Sequence, residues 1–202
     1  MKTILNLKKS IFFVAALTTV LSFTSCSDDD DDPKTPSVTD VYGSYKGKMS
    51  VDGALQALAA NDEAPAGIDV TATVNNDTIY FENFPVETII AAIEGDDNAA
   101  EIIESMDKVS FKVGYEGKLN QAQDSIGMVL NPKPMEFIYK VTEEEVEVEK
   151  NVKVTISVPE NEKSAYSDKI LKFNLEASEI KLNDESIESY SPLYYNFYLN
   201  KQ

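Results

Sequence analysis

Carboxylates are the main chemical resource of this chain. Glu143, Glu145, Glu147 and Glu149 recur at every second position, and Glu94 stands close to Asp96 and Asp97. Alternate spacing places the glutamates on one side of a β-strand, neighbours about 7 Å apart. A row of that kind can contribute to a calcium site, which takes about six to eight oxygens, but the Asp-x-Asp-x-Asp-Gly loop of a dedicated calcium hand is missing. Paired acids also run glycoside hydrolysis when held about 5 Å or about 6.5–9.5 Å apart. There is no tryptophan to stack a sugar beside such a pair. We therefore read the glutamate row as a solvated strand face, and Asp96 and Asp97 as a turn between helices, with no metal site.

Missing residue types narrow the field further. Histidine is absent, arginine is absent, and the single cysteine is Cys26. Without histidine there is no ordinary base near neutral pH and no common transition-metal ligand. Ser-His-Asp and Cys-His nucleophile systems and His/Cys zinc sites are excluded by inventory. Carboxylate chemistry or a Ser-Lys pair is what an enzyme here would have to use. No sequence signal places either in a site, so the expectation is a protein that is not an enzyme and needs no cofactor. Acids outnumber lysines 35 to 18. Phosphate backbones are held by clustered cations, so nucleic acid is not an expected partner.

Tyr190, Tyr194, Tyr195, Phe197 and Tyr198 make the densest aromatic cluster. On a strand, Tyr194 and Tyr198 point one way and Tyr195, Phe197 and Leu199 the other. One set belongs to the core. Tyr190, Tyr194 and Tyr198 are then the candidate ligand or partner surface, since tyrosine joins a flat apolar body to a polar tip.

Residues 1–25 have the form of an export signal. Lys2, Lys8 and Lys9 precede an apolar run from Ile11 to Phe23, too short to span a bilayer. The run closes in Phe23-Thr24-Ser25-Cys26, which resembles a bacterial lipobox, with Phe23 where leucine is usual. That resemblance implies cleavage before Cys26 and a diacylglycerol on its sulfur. A lone cysteine outside the cytoplasm forms no internal disulfide, which leaves lipidation to explain it. Ser27 and the aspartates Asp28, Asp29, Asp30, Asp31 and Asp32 follow, a block of like charge that cannot pack. Residues 26–37 therefore read as a lipidated cysteine with an acidic tether, and residues 38–202 as a single globular β-rich domain. Removing residues 1–25 takes away three lysines and no acid, moving the formal charge from −17 to −20.

The elements needed to position any site are mostly strands. Tyr45, Met49 and Val51 share one face of a first strand, with Gly47 between them, and Ala54–Ala60 reads as a short helix. Asn75-Asn76-Asp77 joins two strands in a hairpin. Val86, Ile89, Ile90 and Ile93 fall at helical spacing behind Pro85, and Ala99, Ile102, Ile103 and Met106 repeat it, with Asn98 and Glu101 placed like a capping box. From Val109 the period becomes two, stops at Asn131-Pro132-Lys133-Pro134, and resumes from Met135 in further strands, the last at Tyr194–Leu199, with Ile180 and Leu182 continuing a strand past a bulge. Glu145–Glu149 and Val152–Val158 read as strand, stopped at Pro159. The fold expected is mainly β (α+β), an antiparallel barrel or sandwich of about eight or nine strands with two or three short helices between early strands. Tyr45-Lys46-Gly47-Lys48 and Tyr115-Glu116-Gly117-Lys118 form a faint internal echo.

The opening Cys26-Ser27-poly-Asp, the segment Tyr42-Gly43-Ser44-Tyr45-Lys46-Gly47-Lys48-Met49, the segment Tyr80-Phe81-Glu82-Asn83-Phe84-Pro85 and the later Asn131-Pro132-Lys133-Pro134 resemble a family of small Bacteroidales lipoproteins of unknown function (DUF4840-like). The resemblance implies an origin and an address: the outer membrane, lipid-anchored, with the acidic opening as a sorting signal to the cell surface and the periplasmic face as the alternative. It supplies no catalytic residue.

Three functions compete. The first is a non-catalytic binding module held at the membrane through its N-terminal lipid, with a small molecule, glycan or protein as partner. The second is a small-ligand carrier with a calycin-like barrel cavity lined by Phe111, Tyr115, Phe137 and Tyr139. The third is a carboxylate-dependent hydrolase.

Overall fold

The computed structural model describes residues 35–52, 66–160 and 162–202. A 3-10 turn at Val38–Val41 leads into β1 (Gly43–Asp52); β2 (Ile68–Asn75) and β3 (Thr78–Phe81) form the expected hairpin, and two helices follow, α1 (Glu87–Glu94) and α2 (Asp96–Ser105). The remaining strands are β4 (Phe111–Leu119), β5 (Ile126–Pro132), β6 (Met135–Glu143), β7 (Val146–Ser157), β8 (Ser164–Ser167), β9 (Ile170–Leu182), β10 (Glu185–Ser186) and β11 (Leu193–Lys201).

Eight strands close a barrel. The order runs β1-β2-β3-β4-β5-β8-β9, and β11 pairs with both β9 and β1 to shut the ring, every pairing antiparallel. The expectation left barrel and sandwich open, and the β11 pairings decide for the barrel. Period-two alternation is what makes closure possible. In β2, Val70, Ala72 and Val74 are buried while Asp69, Thr71 and Thr73 are exposed, so each strand turns one apolar row inward.

Aromatic rings occupy the lumen. Phe173 stacks on Phe197 at 4.4 Å, and Phe81 lies 5.3 Å from Phe197. Phe84 closes one end, 5.2 Å from Phe111 and 5.5 Å from Tyr195, just before the helices. A hydrogen bond from Phe84 N to Val109 O ties the two ends of the helical insert together at 2.7 Å. At the other end, the Tyr45 hydroxyl donates to Val41 O of the 3-10 turn at 2.6 Å.

The rest of the sheet leaves the barrel. β7 and β8 follow one another along the same edge of β9, β8 against Ile170–Lys172 and β7 against Glu176–Leu182. β6 then pairs with β7 over its whole length, from Met135↔Val154 to Glu143↔Val146. The Asn131–Pro134 segment is thus a corner between the barrel strand β5 and the external strand β6. Ser178 is the extra residue where the β7–β9 register shifts, the bulge expected before Ile180.

Three local readings need correction. The acidic row is not one strand face: Glu144 and Glu145 take φ of 50° and 68° and form the tight turn between β6 and β7. Two glutamates carry none of the usual chemistry for a primed turn, so the break was not legible. Second, Asn98 caps nothing as part of a capping box. The helix starts at Asp96 behind Gly95, and Asn98 Nδ2 instead donates to Glu94 O at 2.9 Å. Third, the short strands β8 and β10 add to those expected, because segments of four and two residues are too short to show a period, while the barrel itself has the expected eight strands among the described residues. The Ala54–Ala60 helix, Cys26, Ser27 and Asp28–Asp32 lie outside the described residues.

Candidate functional site: an acidic groove beside β6

Helix α1 buries Ile89 and Ile90, and its last residue, Glu94, sits on the same helical face as Ile90, one turn on. Across from it, β6 presents Met135, Phe137 and Tyr139 and β7 presents Val152 and Val154, all buried. Three polar groups meet at this contact. Glu94 Oε1 accepts from the Tyr139 hydroxyl and from Lys150 Nζ at 3.0 Å, and Lys150 Nζ also reaches Glu143 Oε1 at 2.8 Å. Burial works against the Glu94 charge, yet the Tyr139 and Lys150 hydrogen bonds outweigh it and hold the carboxyl below its ordinary range. Burial, then Glu94 itself, pushes the Tyr139 phenol far up. The cluster is therefore a fixed carboxylate, a fixed ammonium and a fixed phenol, and a proton donor or acceptor poised near neutrality is not among them.

Beside this cluster opens a groove of about 900 Å³. One wall is helical, with Asn98, Glu101, Ile102, Ser105 and Met106, and Asp107 follows at its end. The other wall consists of six consecutive residues of β6, Ile138 to Glu143, with Glu147 and Glu149 from β7. Successive strand residues point to opposite faces. A groove lined by six in a row must therefore run along the edge of the strand. Carboxylates dominate it: Glu94, Glu101, Asp107, Glu143, Glu147 and Glu149 against Lys140. Lys140 pairs with Glu147 at 2.7 Å.

The tyrosines singled out in sequence do not gather in this groove. The Tyr190 hydroxyl donates to Ala177 O at 2.8 Å beside the β9 bulge, and burial pushes its pKa up to about 12. Tyr194 and Tyr198 share the outer face of β11. There Asn196 between them donates to Ser50 and Asp52, and Lys172 lies 4.9 Å over the Tyr198 ring. Tyr195, Phe197 and Leu199 are core, as the alternation implied. The expected cavity lining is split: Phe111 and Tyr115 are buried on barrel strands, whereas Phe137 and Tyr139 lie on β6 beyond the proline corner. Among the described residues, no group of three or more metal-ligating side chains comes together.

Comparison with protein-family models matches residues 40–182 to a domain of unknown function (DUF4840). The chain belongs to this family. The DUF4840 match takes in seven of the eight barrel strands, both helices and the β6–β7 extension, and ends at the last residue of β9. The groove beside β6 therefore falls wholly within the DUF4840 region. No curated protein and no solved structure matches the chain.

Proposed function

We propose that this DUF4840 chain is a non-catalytic binding module, lipidated at Cys26, held off the outer membrane by the aspartate tether and displayed at the cell surface. The observation that carries the binding reading is the open, acidic groove between α2 and the edge of β6. Its polar groups support recognition over turnover, since Tyr139 and Lys150 hold Glu94 ionised, and burial, with Glu94 beside it, holds Tyr139 protonated. The occupied lumen supports a partner taken outside the barrel, because Phe81, Phe84, Phe173 and Phe197 fill the space a carried ligand would need.

The test is site-specific photocrosslinking in the native bacterium. A photoreactive residue at Ser105 or Thr142, both groove-lining, is expected to give discrete adducts, and one at exposed Thr71 on β2 is expected to give none. Equal patterns at all three positions would overturn the binding reading. Labelled palmitate entering the wild type but not Cys26→Ala, with protease access on intact cells, checks the anchor and the display.

A further inference from the structure

The barrel strands have neighbours on both sides, but β6 does not. Among the described residues it pairs with β7 alone, along nine residues. An open strand edge is a row of unpaired N–H and C=O groups, and proteins normally blunt or cover it. Here the groove follows that edge. Ile138, half exposed, stands on its outer face, and Ile102 and Met106 of the helical wall offer further apolar contact. Lys150 already satisfies Glu94 and Glu143, and Lys140 satisfies Glu147. Glu101, Asp107 and Glu149 make no ion pair among the described residues, which leaves both walls negative.

We propose that the groove takes an extended, cationic segment of another protein as an added strand on β6. Main-chain hydrogen bonds along β6 would supply the affinity, and alternate side chains the selection. Lysines or arginines of the segment face Glu101 and Asp107 on the helical wall, while the residues between them lie on the outer face beside Ile138. Charge decides against a second copy as the occupant: β6 carries Glu136 and Glu143 against Lys140, and the chain as a whole is at −17. The inference rests on the binding-module reading and names the chemistry of its partner.

The test uses the full-length chain in detergent and three end-blocked peptides: KVKVKVK, the same peptide N-methylated at alternate residues, and EVEVEVE. KVKVKVK is expected to bind, to shift β6 amide resonances, and to weaken at least tenfold on alternate N-methylation and in the Glu101→Lys/Asp107→Lys variant. EVEVEVE is expected not to bind. No binding of KVKVKVK, equal binding of its N-methylated form, or shifts that map away from β6 would each overturn strand addition; the N-methyl comparison needs no variant to fold. If those results come with groove crosslinks in the cell, strand addition falls and the broader reading stands. If the crosslinks are missing as well, both fall.

Discussion

The Tyr139 hydroxyl on β6 donates to the Glu94 carboxylate at the end of α1, joining residues 45 positions apart. An acid at a helix C-terminus meets the negative end of the helix dipole, and α1 has no basic residue in its last turn. Tyr139 and Lys150 supply the compensation from outside the helix. The same contact docks the helices against the external sheet and so sets the width of the groove.

Removing that hydroxyl should loosen the docking without opening a cavity. Tyr139→Phe is expected to cost about 1.5–3 kcal/mol, the range for a hydrogen bond to a charged group. Urea unfolding at neutral pH measures it. A change near zero would mean that Lys150 alone holds Glu94.

Acid should act on the same contact. Glu94 is held below its ordinary value in the folded protein, so in the unfolded chain it binds a proton at higher pH than in the fold. Its contribution is fully present above the unfolded value of about 4.5 and is lost as pH falls through the lower folded value. Stability of the wild type is expected to fall through that window more steeply than that of Glu94→Gln, measured by urea midpoints from pH 6 to pH 3. Parallel curves would show that Glu94 is not a linked group.

Part of this contact was legible in the sequence. Glu94 follows Val86 and Ile90 at four-residue spacing, and Lys150 interrupts the alternate row Val146, Val148, Val152, Val154. A charge at an apolar position on each of two elements signals a buried pair, although nothing local says that the two elements meet. Barrel closure was legible only as one of two architectures, because inward rows have the same period in either. The β6 edge was hidden for a related reason: periodicity identifies a strand but not how many neighbours it has. What marked the departure from the barrel was Asn131-Pro132-Lys133-Pro134, read as a stop when it is a corner.

The Tyr-x-Gly-Lys echo has a steric basis at its first copy. A Cβ on Gly47 would lie 2.0 Å from Tyr198 O and 2.8 Å from Leu199 Cα, both backbone atoms of the paired strand β11. Gly47→Ala is expected to cost about 3 kcal/mol or more, since β1 must move away from the strand that closes the barrel. Gly127 on β5 is the control. Its nearest neighbour would be 3.7 Å away, and Gly127→Ala is expected to change stability by less than about 1 kcal/mol. Equal effects at the two positions, by thermal or urea unfolding, would rule out the close β1–β11 approach.

The β6–β7 turn offers the opposite sign. Glu144 and Glu145 both sit at positive φ, a region that costs a residue with a Cβ roughly 1–2 kcal/mol and costs glycine little. Asn-Gly is the pair this two-residue turn favours. Glu144→Asn with Glu145→Gly is therefore expected to raise stability by about 0.5–1 kcal/mol, part of the relief being offset by the extra freedom of glycine in the unfolded chain. It also removes two charges from a stretch where Glu143, Glu147 and Glu149 already repel one another. Repeating the urea series at high salt separates the two causes. A gain that survives salt is conformational and confirms the turn geometry, whereas a gain that salt abolishes is electrostatic, and the strain assigned to Glu144 and Glu145 is then wrong.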